Sequence, residues 1–248
     1  MGEQFDTDKG GRLMVWGLNM PSGFGNYLPD GDFAGYGDRL KKYFVEEMPE
    51  EQKAKFGDGA GSKYRYHVSQ KFTEEPGSVL GDGIPVGQIS EHEWPNKFEL
   101  HKSYAALGSL FQMPNRLLAV ETAFKDVVER VEPGIHQFRP LSVTTRIGKV
   151  FPKQYYTLVI GQFLDSFDPI ASDEGTWEKA KNSDSYLVYI NSKKYIAGLA
   201  FSRSAIGGAQ LWRERKLYSP EIYFSDTLKA ELEKAGLRLP QHFQMKEL

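Results

Sequence analysis

"LLAVETAFKDVVERVEPGIHQFRPL" (Leu117–Leu141) and "IYFSDTLKAELEKAGLRLPQHFQMKEL" (Ile222–Leu248) run through one order twice: a short apolar run, a stretch of helical period, a glycine stop and an aromatic run. In the first copy Leu117–Val120 reads as a short buried strand. Thr122–Val131 follows as a helix with Phe124, Val127, Val128 and Val131 on one face, stopped by Pro133-Gly134. In the second, Ile222–Phe224 reads as a strand, Ser225 or Asp226 as N-cap, Leu228, Leu232 and Ala235 as the apolar face, and Gly236 as the C′ residue. An offset of 104 residues lays Leu118 on Ile222, Phe124 on Leu228, Lys125 on Lys229 and Glu129 on Glu233. One inserted residue then brings Phe138 opposite Phe243. His136 and His242 fall at matching helix exits, where a histidine can donate to free carbonyls. Each strand–helix unit has one apolar face to bury, so two copies can cover a common sheet. The expected fold class is α+β, a mostly antiparallel or mixed sheet with a few short helices and a duplicated strand–helix unit.

Residues 1–98 read differently, as an irregular region rich in glycine and aromatics. "PSGFGNYLPDGDFAGYGD" and "PGSVLGDGIPVG" are dense in residues that end periodic structure. Between them "DRLKKYFVEEMPEEQKAKF" sets Leu40, Tyr43 and Phe44 at helical spacing with a break at Pro49, a short amphipathic helix pair. "SKYRYHVSQKF" alternates Tyr64, Tyr66 and Val68 as a strand would. Further on, "ELHKSYAALGSLFQ" reads as helix or strand edge. "QYYTLVIGQFL", "SYLVYINSKKYIAGLAF" and "AQLWRERKLY" read as strands, the middle one a hairpin around Asn191 and Ser192. Residues 99–248 are then an α+β domain, packed with 1–98 as one globular unit.

Composition narrows the function. The chain has 248 residues, no cysteine, 40% hydrophobic and 26% charged residues, which excludes disulfides and cysteine nucleophiles and suits a reducing cytoplasm. Formal net charge is -2, so the basic field that nucleic acid requires is missing. No export signal or membrane-spanning apolar run is legible.

No catalytic constellation emerges. "EHEWPNKFELHK" gathers Glu91, His92, Glu93 and His101, but without an i, i+4 pair of histidines the segment reads as a solvated loop rather than a zinc site. Ser202-Arg203-Ser204 with Gly207-Gly208 lacks the spacing of a nucleophile elbow or a phosphate loop, and no strand-to-helix switch flanks it. Asp165, Asp168, Asp173 and Glu174 form an acidic turn without calcium-loop register. Of the tryptophans, Trp212 reads as buried, Trp94 and Trp177 as partly exposed. Nothing calls for a cofactor or a metal. Glu46, Glu47, Glu50 and Glu51, with Glu74, Glu75, Glu91 and Glu93, give the N-terminal half an acidic cast that would steer a basic protein partner. The first four are the candidate contact residues.

The tail "LYSPEIYFSDTLKAELEKAGLRLPQHF", preceded by "GAQLWR", resembles immunity protein family eleven of bacterial polymorphic toxin systems, formerly a domain of unknown function. Ser225, Asp226, Leu228, Lys229, Ala235, Gly236, Leu237 and Phe243 carry the resemblance, with Leu211, Trp212 and Arg213 before them; it covers residues 99–248 and departs at Arg238-Leu239-Pro240. It implies a cytoplasmic, non-catalytic protein that binds a cognate secreted toxin or effector and occludes its active site. The alternative is a hydrolase-like enzyme whose site assembles from scattered polar residues.

Overall fold

The computed structural model describes residues 14–57, 59–79, 83–181, 184–188, 193–218 and 222–248. Its first half runs β1 (Val15–Asn19), β2 (Gly31–Asp32), α1 (Tyr36–Lys42), α2 (Glu50–Lys53), α3 (Ala60–Gln70), β3 (Lys97–Leu100), β4 (Leu110–Gln112), β5 (Leu118–Glu121), α4 (Thr122–Val131), β6 (Gln137–Thr144) and β7 (Tyr155–Val159). The second half runs β8 (Phe163–Leu164), β9 (Phe167–Asp168), β10 (Trp177–Lys179), β11 (Tyr186–Val188), α5 (Lys193–Ala197), β12 (Ala200–Phe201), α6 (Arg203–Ile206), β13 (Leu211–Glu214), β14 (Tyr223–Ser225), α7 (Asp226–Lys234), β15 (Gln241–Gln244) and β16 (Lys246–Glu247). The class is α+β with mixed and antiparallel sheets, as expected.

The duplication is real and larger than the two quoted stretches. One sheet has the order β2-β3-β6-β7-β5-β4; the other splits into β15-β1-β14-β13-β8 and β16-β12-β9. β15 and β16 are separated by Met245 alone, which joins the two pieces. Register then matches the six strands of the first sheet to strands of the second, which adds β8 beyond β13. Glu121 faces Tyr155 and Val120 faces Tyr156, as Ser225 faces Val15 and Phe224 faces Trp16. β3 runs parallel to β6 with Phe98 on Val143, as β12 runs parallel to β16 with Phe201 on Glu247. β2 and β9 each close their side as an antiparallel neighbour. The place that β7 fills in the first sheet is therefore filled in the second by β1, the N-terminal strand, lying between β14 and β15.

This pairing corrects the alignment. Phe138 faces Leu158 and His242 faces Leu18, so the offset of 104 persists, no residue is inserted, and Phe138 corresponds to His242 rather than Phe243. His136 and His242 are not equivalent positions.

The helices of the two units start alike: Glu121 and Ser225, the residues just before α4 and α7, share φ -75° and ψ 162°. Ser225 completes its cap by accepting from the Leu228 N–H at 3.0 Å, and Gly236, at φ 68°, takes the left-handed C′ position that the helix end requires. Ala235 is exposed at the C-cap and does not line the apolar face. Phe124, Val127 and Val128 of α4, Leu228 and Leu232 of α7, and Leu18, Leu118, Val120, Leu158 and Phe224 from both sheets form one central core. Burying side chains of this size stabilises by about 1.5–3 kcal/mol each. The two outer faces have cores of their own, one under α1–α3 around Phe98 and Phe111, the other around Phe201, Trp212 and Tyr223.

Several local expectations change. Ala60–Gln70 is a helix, not a strand: Tyr64, His67 and Val68 are buried at helical spacing, while Tyr66 faces out. Of the two readings of "ELHKSYAALGSLFQ", the strand one holds: it supplies the end of β3 and the whole of β4, with no helix between. Lys193–Ala197 is helical, and β11 pairs with β10; the hairpin turn at Asn191 and Ser192 lies outside the described residues. Trp94 is buried, packed edge-on to Phe72, because the segment before β3 folds inward under α3.

Candidate functional site

The four predicted contact residues stand together and exposed. Tyr43–Glu47 continues α1 as a wide π turn, Pro49 caps α2, and Glu46, Glu47, Glu50 and Glu51 point to solvent while Phe44, Met48 and Phe56 anchor the ridge from below. Glu50 accepts from Lys53 at 2.7 Å, and Lys42 lies 3.9 Å from Glu46, so the ridge is partly neutralised on its own surface. Surface pairs of this kind contribute little to stability.

The other acids of that half do not join the ridge. Glu93 is buried, its two oxygens 2.6 and 2.8 Å from Lys71 Nζ, and it closes a capping box with Ser90. Glu91 pairs with Arg139. Glu75 receives Arg215 through Nε and an Nη at 2.5 and 2.8 Å, joining the loop after α3 to the strand end of the second unit. The histidines separate likewise. His92 stacks on Tyr43 and shares a hydrogen bond with Tyr64, and burial lowers its pKa; His101 meets Asp30 instead. Among the described residues no group of three metal-ligating side chains converges.

A second surface went unread in the sequence. A cleft of about 600 Å³ lies between α3 and β13, with Glu74, Arg116, Arg213, Glu214 and Arg215 in its lining. Its rim shows large side chains to solvent: Tyr66 is 60% exposed, Val79 62% and Tyr218 52%. Exposed tyrosine beside arginine is the composition of protein-contact surfaces. Asn115 and Arg116, at φ 58° and 62°, are both left-handed without being glycine. That conformation costs about 1 kcal/mol or more per residue and concentrates at functional sites. The Pro114-Asn115 pair signals the turn in sequence, but nothing marks Arg116 for this conformation.

Glu214 forms one wall of the cleft. Burial pushes its carboxyl up to about 7, although Ser166 donates to it through its N–H at 2.7 Å and its hydroxyl at 2.6 Å. Neighbouring Arg213 is buried in the cleft wall, and burial lowers its guanidinium to about 10, helped by Arg116.

The two units also clamp one another with polar groups. Glu132, just past α4, accepts from the Gln210 and Leu211 N–H groups at the start of β13, at 2.8 and 2.9 Å. In return Ser109, at the start of β4, bonds Arg238 just past α7: the Ser109 N–H donates to the Arg238 carbonyl and the Arg238 N–H to Ser109 Oγ, each at 2.9 Å. His136 Nδ1 accepts from the Gly161 N–H, leaving Nε2 to donate to Glu132 Oε2 at 2.9 Å. It therefore bonds a carboxylate rather than free helix carbonyls. Burial raises the Glu132 pKa, but the bonds from His136, Gln210 and Gln162 outweigh it and the net shift is downward.

The remaining motif residues are structural. β12 passes through Ser202 into the single turn of α6, a strand-to-helix switch the sequence did not betray, and Ser202 Oγ meets Ser204 Oγ. Asp168 accepts from the Ile170 and Ala171 N–H groups, Asp165 pairs with Arg215, and Asp173 pairs with Lys246. Trp212 is buried and Trp177 half-buried.

A family model described as "Immunity protein family (Imm11)" matches residues 48–245, reaching about fifty residues further toward the N-terminus than the resemblance carried by the tail. No curated protein matches the chain.

Proposed function

The chain belongs to the Imm11 immunity protein family, and from that premise we propose that it binds a cognate secreted toxin or effector in the cytoplasm and blocks the toxin's active site without catalysis of its own. The family match carries this reading. Two surfaces suit it: the acidic ridge of Glu46, Glu47, Glu50 and Glu51, which would steer a basic partner, and the tyrosine–arginine rim around Tyr66, Tyr218 and Arg116. Inhibition by occlusion needs a few well-packed anchors on a rigid frame, and the interlocked units supply such a frame.

The test is co-expression with the toxin domain of whichever secreted protein a neighbouring gene is found to encode. Cells carrying both should grow, and reversing all four ridge glutamates to lysine should slow association at low salt. Cell death in the presence of well-folded, abundant immunity protein would refute the reading.

One observation favours a hydrolase-like alternative: Glu214, a carboxyl titrating near neutrality, in the wall of a polar cleft. Its bonds to Ser166 give it a structural task, and under the immunity reading Glu214→Gln leaves neutralisation intact.

A further inference from the structure

Apart from β8, which has no counterpart in the first unit, the strands of the two sheets correspond, so the edges at β6 and β15 can be compared position by position. In the first unit the outer side of β6 bonds β3 through the Ser142 N–H to the Asn96 carbonyl, and in the second the Lys246 N–H bonds the Leu199 carbonyl, each at 2.9 Å. Two residues back along the strand, the equivalent positions are Pro140 and Gln244; four back, Phe138 and His242. Proline has no N–H to offer, so the first edge is blocked against another strand. The second is not.

The Met245 N–H donates inward to the Val15 carbonyl of β1, so by the alternation of an antiparallel ladder His242 and Gln244 turn their backbone groups outward. β15 is the outermost strand of its sheet: among the described residues no strand pairs with its free side, although α5 packs against β15 nearby. The flanking space differs as well. Trp94, three residues before β3, fills the first unit's margin with Arg139 stacked 5.6 Å from its ring; the residue three before β12 is Ala197. Where the tryptophan's counterpart is alanine, a groove of about 900 Å³ runs along β15, lined by Trp16, Ala197, His242, Gln244 and Met245 among others.

We propose that this edge receives an extended segment of the cognate toxin as an added β-strand beside Gln241–Gln244. The free backbone groups specify an extended peptide, since only a strand meets alternate N–H and C=O groups at their spacing. The occupant is the toxin rather than a second copy of this chain. A strand of four residues, about 14 Å long, gives far less than the roughly 800 Å² per partner of a self-standing interface, so it works as one anchor within a larger contact. This rests on the immunity reading for the identity of the partner. An extended tail of about ten residues reaches roughly 33 Å, enough to leave the toxin's folded body on another face.

The experiment measures binding of the catalytically silenced toxin domain to the full chain by calorimetry, with amide hydrogen exchange read at His242 and Gln244. Gln244→Pro installs the first unit's own block, and Ala197→Trp fills the groove; both should weaken binding at least tenfold while the melting temperature stays near that of the wild type. Both amides should gain protection in the complex. Should Gln244→Pro perturb folding, Ala197→Trp and the exchange data decide alone. Tight binding of wild type and variants alike, with both amides still exchanging freely, overturns the edge proposal and leaves the immunity reading standing. Failure of the wild-type chain to bind the toxin overturns both, and protection that grows with the concentration of this chain alone assigns the edge to a second copy and overturns the proposal.

Discussion

At the scale of single residues, two buried glutamates answer pH with opposite sign. Glu132 has its carboxyl held below the ordinary value by four donors, so its contribution is complete above pH about 5 and is lost as pH falls through its folded pKa. Glu132→Ala strands His136 Nε2–H and two backbone N–H groups, and a loss of at least about 2 kcal/mol is expected in urea unfolding at pH 7, shrinking as acid protonates the folded carboxyl. Glu214 is the reverse case. Its pKa rises from 4.5 to about 7, so stability is fullest below pH 4.5 and declines as pH rises to about 7, by a total on the order of 3 kcal/mol. Glu214→Gln keeps the bond from the Ser166 N–H and can donate to its hydroxyl. That variant should abolish the decline and be more stable than the wild type at pH 8; an unchanged slope would show that burial does not govern this group. Neither residue was legible as special in sequence, because burial and partners separated by 78 and 48 positions create both effects.

At the scale of elements, legibility followed amphipathic contrast. α4 was read to the residue because four apolar side chains repeat at 3.6-residue spacing against charge. α3 was misread because Tyr64, Tyr66 and Val68 also satisfy an alternating pattern, and only tertiary contact decides between the two periods. The outcome is testable by substitution. In a helix Tyr64→Ala removes a ring packed on Phe44 and Phe56 and should cost about 3–5 kcal/mol, whereas Tyr66→Ala should stay within about 0.5 kcal/mol. A strand would put both rings on one face and make the two losses similar. The duplicated lysines illustrate the reverse, sequence identity becoming structure: Lys125 lies 5.5 Å over Tyr156 and pairs with Glu129, and Lys229 lies 4.4 Å over Trp16 and pairs with Glu233. The sequence showed the lysines and glutamates; the aromatic partners, supplied by β7 and the distant β1, could not be seen.

At the scale of the molecule, the least legible feature is the closure by β1. Its pattern "VWGLN" sits among glycines and resembles loop, yet it is the strand that completes the second unit, more than two hundred residues from its partners β14 and β15. A division at residue 98 is therefore proposed to be a boundary of sequence texture and not of folding. Residues 99–248 expressed alone lack the central strand of one sheet and should stay largely unfolded by circular dichroism, while the whole chain melts in one transition. A cooperative melt of that fragment would show two independent domains. Neutralisation by stoichiometric binding is open to direct test by titrating the cognate toxin's catalytic activity with the purified chain. The prediction is a linear fall to zero at one equivalent; a toxin still fully active beside excess folded protein, or one silenced by a small fraction of an equivalent, would contradict it.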